Sequence, residues 1–340
     1  MIVSGEKQKV LAVTHRSDVA VARRCAAHSA GQLGFDETAL GRLAIVVTEC
    51  ATNILKHAGQ GKLVLTPTRH GAAPAFEVLA LDSGPGIASL AHCLRDGMST
   101  AGTTGTGLGA MRRMSDYFDA YSIAGKGAVF LMRLWPHASA AEPAPAVEYG
   151  AVCAPIRGEE VSGDAWAIAL DNSGATVLVA DGLGHGAAAA MASQAAVNVF
   201  GSRPNLSPSE YMDAIHGALR TTRGAAVAVA QALVDAGELH FAGIGNISAS
   251  IVTHLSSKNL ISHSGIAGHN MRRIQQFTLP WPQDAVCVLH SDGLSTRWDL
   301  DAYPGLLMHH PALIAGVLFR DFSRDRDDAT VVAFKQVRYS

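Results

Sequence analysis

The sequence has 340 residues, of which 48% are hydrophobic, so it is long enough for two domains and apolar enough for two buried cores. It has no apolar run near the roughly 20 residues that span a bilayer and no signal-like start, which predicts a cytoplasmic protein with no membrane association. The net charge is −2, with +4 on residues 1–136 and −6 on the remainder. The sequence has no dense basic run, so no nucleic-acid partner is predicted. The five cysteines are scattered, which favours reduced core thiols over disulfides or a zinc site.

Residues 1–136 predict the order β-α-α-β-β-α-β-β, an α/β arrangement of two layers. The predicted helices begin at capping residues Ser17 and Asp36 and end at Gln32 and about Lys56. The remaining predicted elements are the strands Lys9–Thr14, Lys62–Pro67, Ala75–Leu81, Ala120–Ile123 and Ala128–Leu134, and the helix Leu108–Met114. The Ala- and Pro-rich stretch 137–146 predicts a linker between two domains.

Residues 147–340 are richer in strands and predict a β-sandwich flanked by helices. The predicted strands are Thr176–Ala180, Ala226–Val234, Leu239–Ile244, Ala249–Thr253, Ala285–His290 and Ala329–Phe334. The predicted helices are Ala187–Phe200, Pro208–Arg223 and Pro311–Phe319.

Three short motifs in the first domain have the character of a nucleotide site. Glu49 and Asn53 are four residues apart and share a helical face, where a carboxylate and a carboxamide can act as a base and a Mg²⁺ ligand. Asp82 follows a strand and precedes Gly84 and Gly86 in a turn. Gly105, Gly107 and Gly109 lie at the start of a helix, and exposed amides there can hold phosphate groups. Each motif alone is also typical of an ordinary helix face or turn.

The order and spacing of these motifs over residues 8–135 resemble the N, G1 and G2 boxes of the GHKL (Bergerat-fold) ATPases. The resemblance implies that Glu49 is the base, that Asn53 binds Mg²⁺, and that Asp82 binds adenine. It further implies that Lys56 or His57 adds positive charge near the phosphates. The implied nucleotide-binding residues are Lys56, Gly84, Gly86, Gly105, Thr106, Gly107, Leu108 and Gly109.

The compact size and a short lid at 97–102 are similar to the anti-sigma-factor serine/threonine kinases of the RsbT type. That resemblance implies ATP and Mg²⁺ as cofactors and phosphorylation of serine or threonine on a STAS-domain protein of a stressosome-like pathway. A downstream phosphatase or sigma-pathway regulator is a further expected partner.

Acidic turns recur through the second domain. They contain Asp164, Asp181 before Gly182, Asp292, and the pair Asp327 and Asp328. Carboxylates at strand ends can converge at one edge of a sandwich and bind two hard divalent ions, which activate water for attack on phosphorus. A single Asp-Gly pair is usually a hairpin turn, but that reading does not explain four separated acidic motifs.

This pattern resembles the metal-dependent PPM-type serine/threonine phosphatases of the SpoIIE and RsbX branch, with an α-β-β-α sandwich over about residues 147–337. The resemblance implies that Asp181 bridges two Mn²⁺ or Mg²⁺ ions and that Gly182 lends its carbonyl. Asp292 and Asp327 would complete one site, with Asp328 as an alternative to Asp327, and Asp164 would bind more weakly. The sequence does not identify the arginine that would bind phosphate, for which Arg157 is one candidate.

The sequence therefore predicts a bifunctional switch with a kinase domain at 1–136, a linker at 137–146 and a phosphatase domain at 147–340. One alternative is a phosphatase whose first domain binds ATP and a partner without transferring phosphate. Another is an inactive second domain that serves as a scaffold, which the retention of all four acidic motifs disfavours.

Overall fold

The computed structural model describes residues 1–70, 73–93, 107–137, 145–272, 274–324 and 326–337. The predicted lid at 97–102, Gly105, Thr106 and most of the predicted linker lie outside the described residues. The chain forms two compact units, one of Lys7–Glu142 and one of Met1–Glu6 with Pro143–Ser340. The first strand, β1 (Ile2–Ser4), therefore belongs to the second unit, whereas the predicted first domain included residues 1–6.

The unit Lys7–Glu142 contains one antiparallel sheet with helices on one face. Its elements are β2 (Lys9–Val13), α1 (Arg16–Gly31), α2 (Glu37–Asn53), β3 (Gly61–His70), β4 (Ala73–Asp82), α3 (Leu90–Cys93), α4 (Gly107–Met114), β5 (Tyr117–Ile123) and β6 (Gly127–Leu134). The strand order is β2-β3-β4-β6-β5. Apolar residues of α1 and α2 share one buried core with side chains of the sheet, which gives the predicted two layers.

The start of α1 differs from the prediction. Ser17 lies inside the helix, and the N-cap is His15. The reason is Asp18, whose Oδ2 accepts the amides of Thr14 at 2.9 Å and His15 at 2.8 Å, so the carboxylate closes the helix start from within the first turn. At α2 the predicted cap is present, because Asp36 Oδ1 accepts the Ala39 amide at 2.8 Å.

The helix α2 continues into a single π-helical turn at Ile54–Ala58. In the described part of the chain, the combined segment Glu37–Ala58 of 22 residues is the one helix long and apolar enough to cross a membrane, judged by length and composition. Leu43, Val46 and Val47 are nevertheless buried in the core of the unit. The apolar character of this helix is thus accounted for by packing against the sheet.

The second unit is built from two antiparallel sheets packed face to face. Its further elements are β7 (Val147–Ala154), β8 (Asp164–Leu170), β9 (Gly174–Gly182), α5 (Ala187–Ser202), α6 (Pro208–Ala218), β10 (Ala225–Leu233), β11 (Glu238–Ile244), β12 (Ser248–Val252), β13 (Ser257–Leu260), β14 (Phe277–Pro280), β15 (Val286–His290), α7 (Pro311–Phe322) and β16 (Ala329–Gln336). The sheet orders are β1-β8-β9-β10-β11-β14 and β13-β12-β15-β16-β7.

A core that includes Val177, Phe241, Leu289 and Phe334 separates the two sheets. The helices α5 and α6 cover the outer face of the first sheet, and α7 packs on β7 and β16. The result is an α-β-β-α sandwich. The predicted helix Pro208–Arg223 is shorter than expected, since α6 ends at Ala218 and a 3₁₀ turn follows at Leu219–Thr221.

The strand β1 completes the edge of the larger sheet. Val3 pairs with Ile168 of β8 and is buried in the core between the sheets. Next along the chain, Gly5 donates its amide to the Trp166 carbonyl at 3.2 Å, and a Cβ on Gly5 would overlap the Trp166 indole. The polypeptide thus contributes an edge strand to the second unit before it forms the first.

Candidate nucleotide site and candidate metal centre

The first predicted group is brought together by α2 and α4. Glu49 and Asn53 lie on α2, and the start of α4 passes directly over them at Gly107. A Cβ on Gly107 would lie 2.9 Å from Glu49 Oε2 and 3.4 Å from Asn53 Oδ1. The backbone of a glycine-rich helix start therefore faces a carboxylate and a carboxamide, an arrangement that can hold a phosphate-bearing ligand and a cation.

The π-helical turn follows directly after Asn53. Single π turns inside α-helices often occur at functional sites, because the extra residue redirects the side chains around it. Lys56 and His57 are exposed on this turn. Among the described residues no hydrogen bond or ion pair joins Lys56 to Glu49 or Asn53.

The turn after β4 is held by packing. The Gly84 amide donates to Asp82 Oδ1 at 2.9 Å, and a Cβ on Gly84 would lie 2.7 Å from that of Ala58 in the π turn. Gly86 has φ +68°, and a Cβ there would overlap the Ile123 carbonyl. Close contacts within the unit therefore require glycine at both positions.

The remaining predicted nucleotide residues are divided by the described ranges. Gly105 and Thr106 fall outside them. Leu108 is half-buried and packs against the core, and Gly109 is buried in α4. Any ligand contact of Leu108 therefore belongs to its backbone amide, since its side chain faces the sheet.

The acidic residues of the second unit gather at one edge of the sandwich. Asp164 opens β8 and pairs directly with Asp181 at the end of β9. Asp292 follows β15, and Asp327 and Asp328 precede β16, the strand that pairs with β15. The sequence had placed Asp164 in a turn, whereas it is the first residue of a strand and is buried.

The carboxylates of this cluster raise one another's pKa. Burial raises the pKa of Asp181 most, and the charges of Asp164 and Asp292 raise it further. Burial likewise raises the pKa of Asp164, against the lowering effect of a hydrogen bond from Ser291. Burial first and then the charge of Asp327 raise the pKa of Asp292. Such a set of mutually repelling carboxylates favours a bound divalent cation, which removes the repulsion.

Asp327 and Asp328, which the sequence left as alternatives, have different environments. Asp328 is buried, and its two oxygens accept the amides of Ile156 at 2.7 Å and Gly163 at 2.8 Å. Asp327 is exposed, and its Oδ1 accepts the Asp328 amide at 2.9 Å. Asp328 therefore fixes the 155–163 loop to the edge of the sheet, while Asp327 keeps an oxygen directed to solvent.

Two polar residues that the sequence analysis did not assign to the site contact its carboxylates. Ser291 is buried and donates to Asp164 Oδ2 at 2.6 Å, and its Oγ accepts the Thr330 amide at 2.9 Å. Asn246 donates from Nδ2 to Asp292 Oδ2 at 2.7 Å. Both residues lie just after strands, which is the one sequence signal that could have found them.

His290 supports the turn that carries Asp292. Trp298 Nε1 donates to His290 Nε2 at 3.1 Å, so the ring proton is on Nδ1, which donates to the Ser291 carbonyl at 2.8 Å. Burial lowers the pKa of His290, which agrees with a neutral ring. At the rim of the cluster, His185 Nδ1 lies 3.0 Å from Glu159 Oε1.

The donor set fits divalent ions by its chemistry, since its ligand atoms are hard carboxylate oxygens at one sheet edge. In the described part of the chain no three His, Cys, Asp or Glu side chains lie close enough to hold one ion as they stand. Binding therefore requires side-chain rotations, which are available to Asp327 and Asp292 because neither is fully buried.

Comparison with known proteins agrees with this division of the chain. The family model of the histidine kinase-like ATPase domain matches residues 13–134, and that of stage II sporulation protein E (SpoIIE) matches residues 171–336. The two families imply the use of ATP and of a divalent metal ion. They also confirm the predicted fold class, a GHKL-type sandwich and a PPM-type sandwich on one polypeptide.

The serine/threonine-protein kinase RsbT of Bacillus subtilis (strain 168) is 33% identical over 110 residues, which cover 32% of this chain and 83% of RsbT. The chain therefore belongs, through its N-terminal part, to the RsbT family of serine/threonine kinases, and it carries a PPM-type phosphatase domain of the SpoIIE class on the same polypeptide.

Solved structures share the fold. One similar structure comes from work on the bacterial stressosome as a modular system adapted to control secondary messenger signalling. It has a TM-score of 0.53 and 24% identity, and the match covers 56% of this chain and 99% of that chain. The structure of RsbX in complex with magnesium has a TM-score of 0.50 and 17% identity, and the match covers 58% of this chain and 98% of the RsbX chain.

Proposed function

We propose that this protein is a bifunctional switch in bacterial stress or sigma-factor signalling. The N-terminal unit transfers phosphate from ATP to serine or threonine on a STAS-domain protein, and the C-terminal unit hydrolyses phosphoserine or phosphothreonine. The observation that carries the proposal is the presence of two intact polar centres on one chain, one at Glu49 and Asn53 and one at Asp164 and Asp181. The proposed location is the cytoplasm, with no nucleic-acid or membrane partner.

In the kinase reaction Glu49 is the proposed base, which orients and deprotonates the incoming hydroxyl. Asn53 would hold Mg²⁺ and Asp82 would bind adenine. The amides from Gly105 to Gly109 would cradle the phosphates at the start of α4. The contact between Gly107 and the Glu49 and Asn53 side chains supports this proposal, because it brings the helix start to the base. Phosphoryl transfer depends mainly on such positioning and on charge neutralisation.

In the phosphatase reaction the proposed ligands of two Mn²⁺ or Mg²⁺ ions are Asp164, Asp181, Gly182 through its carbonyl, Asp292 and Asp327. The ions, when bound, supply charge for the phosphate oxygens and activate water for attack on phosphorus. Ser291 and Asn246 orient two of the carboxylates, and Asp328 anchors the adjoining loop. The exposed oxygen of Asp327 supports its choice over Asp328.

The proposed partner is supported by relatives. The N-terminal unit resembles a named serine/threonine kinase, and a solved structure with the same fold is connected with the bacterial stressosome. A STAS-domain protein encoded near this chain is therefore the first substrate to test. A downstream phosphatase or sigma-pathway regulator is a further proposed partner.

The test follows labelled phosphate from ATP onto this STAS protein, with wild type, Asp181→Asn and Glu49→Ala. The expected result is that Asp181→Asn accumulates labelled protein, that wild type removes the label when Mn²⁺ is added, and that Glu49→Ala transfers none while still binding the partner. If no form labels the partner but all bind ATP, the N-terminal unit is a binding module that regulates the phosphatase.

A further inference from the structure

We propose that Arg223 is the phosphate-binding arginine of the phosphatase unit and that its guanidinium contacts an oxygen of the substrate phosphate. This assignment rests on the proposed function of the carboxylate cluster. It differs from Arg157, the candidate that the sequence offered. It also identifies a role for the segment between α6 and β10, which no predicted motif includes.

Arg223 lies beside the loop that follows the metal-ligand strand. Gly182, at the end of β9, pairs with Ala225, at the start of β10. One step further, the Leu183 amide donates to the Gly224 carbonyl at 3.1 Å. The backbone at Arg223 therefore runs next to the 183–184 segment, immediately beyond Asp181.

The guanidinium points to this same loop. A Cβ on Gly184 would lie 3.3 Å from Arg223 Nη1, so the arginine head rests against the glycine backbone. The Gly184 carbonyl also lies 3.3 Å from the Cβ position of Gly163, and that position is 2.8 Å from Asp328 Oδ2. The glycine loop that contacts Arg223 therefore adjoins the segment that Asp328 anchors. The proposed phosphate contact is made by the Arg223 side chain from its place beside this loop.

The backbone at Arg223 is held firmly. His269 Nε2 donates to the Arg223 carbonyl at 2.9 Å, and Ala225 exchanges backbone hydrogen bonds of 3.2 and 2.9 Å with Ala267. Gly224 has φ +79°, and a Cβ there would lie 2.7 Å from the Ala267 carbonyl oxygen. The backbone that carries Arg223 is therefore fixed, which is the support that a functional side chain needs.

Other arginines near the cluster are placed differently. The charge of Arg324 acts on Asp292, where it opposes the effect of burial on the pKa, so it already compensates a carboxylate. Arg157 follows Ile156, whose amide is bound to Asp328, and its side chain is exposed. Among the described residues no carboxylate forms an ion pair with Arg223, which leaves its donors available for a phosphate.

The experiment titrates inorganic phosphate into the Mn²⁺-saturated full chain and measures kcat and KM with a phosphoserine peptide. The variants are Arg223→Ala, Arg223→Lys, Arg324→Ala and Arg157→Ala, with exposed Arg220→Ala as the matched control. Arg223→Ala is expected to weaken phosphate binding and to raise KM, each about tenfold, with Mn²⁺ affinity unchanged. Arg223→Lys is expected to restore part of the lost phosphate affinity, and Arg220→Ala is expected to behave as wild type.

The assignment is overturned if Arg223→Ala binds phosphate as tightly as Arg220→Ala, or if the loss appears in Arg324→Ala or Arg157→Ala instead. A wild-type chain that hydrolyses no phosphopeptide contradicts the phosphatase proposal. The phosphate titration still decides on Arg223 in that case, because it measures binding and not turnover.

Discussion

At the scale of single residues, two adjacent aspartates of the candidate metal centre have different environments. Asp328 accepts two amides from a loop more than 160 positions away in sequence, whereas Asp327 is exposed beside it. Two neighbouring residues of identical chemistry therefore have different environments, and the exposure of Asp327 supports its proposed role as a ligand.

This difference in environment predicts that conservative substitutions of the two aspartates have different effects. Asp327→Asn is expected to reduce Mn²⁺ affinity with little change in the free energy of unfolding of the metal-free protein. Asp328→Asn replaces one acceptor by a donor that faces an amide, and should lower that free energy by about 1–3 kcal/mol. Calorimetric Mn²⁺ titration and urea unfolding measure the two effects, and a reversal of the pattern would exchange the two roles.

A second residue-scale prediction concerns pH. The pKa values of Asp164 and Asp181 are raised in the folded protein. At pH values above the usual carboxylate range near pH 4, the folded state therefore binds more protons than the unfolded state. The metal-free protein should therefore become more stable as pH falls from 8 to 6.5. Thermal unfolding in a chelator measures this, with Asp181→Asn as the control, in which the dependence should weaken.

Saturating Mn²⁺ should remove or reverse this pH dependence, because the ions bind the deprotonated carboxylates. A metal-free protein that loses stability on acidification over the same range would contradict the mutual destabilisation of these groups.

At the scale of elements, the turn after β4 shows how a tight backbone contact positions a part of the candidate nucleotide site. Gly86 combines a positive φ with direct contact to the β5–β6 hairpin, and the Gly125 amide donates to the Pro85 carbonyl at 2.7 Å. The turn that carries Asp82 is therefore positioned by the hairpin behind it.

Gly86→Ala should accordingly destabilise the unit Lys7–Glu142 by about 2 kcal/mol or more, because alanine meets both backbone strain and overlap with a carbonyl. Gly41→Ala is the matched control. Gly41 is exposed inside α2 with open space around its Cβ position, so alanine should stabilise the helix by about 0.5–1 kcal/mol. Urea unfolding compares the two, and equal effects would contradict the packing explanation.

At the scale of the whole molecule, the chain enters the second unit, leaves it to form the first, and returns. The strand β1 is joined in sequence to the first unit but its hydrogen bonds and buried side chain belong to the second. The kinase-type unit is therefore inserted within the phosphatase-type unit in the order of the chain.

This connectivity predicts that a substitution of Val3 lowers the stability of the second unit. Val3→Ala should lower the stability of that unit by about 1.5 kcal/mol, from two buried methyl groups, and speed hydrogen exchange of the β8 amides. Ile2→Ala, at a side chain that is 39% exposed, is the control and should change exchange much less. Faster exchange confined to β2 and β3 would contradict the assignment of β1.

The order of most elements, both fold classes and the acidic residues at strand ends were predictable from the sequence. These features follow from local patterns, namely apolar periodicity, caps such as Asp36, and carboxylates placed directly after apolar strands. The strands β7, β8, β13 and β14 were not predicted, although Ser162-Gly163 and the turn residues 171–174 flank β8.

Which side chains support the candidate sites depends on contacts between distant parts of the chain. Ser291 reaches Asp164 across 127 positions of sequence and Asn246 reaches Asp292 across 46, and β1 finds its partner strand in the other unit. The contact of Arg223 with Gly184 is of the same kind. Contacts of this range leave no local pattern, because they are created when strands from distant parts of the chain come to lie side by side.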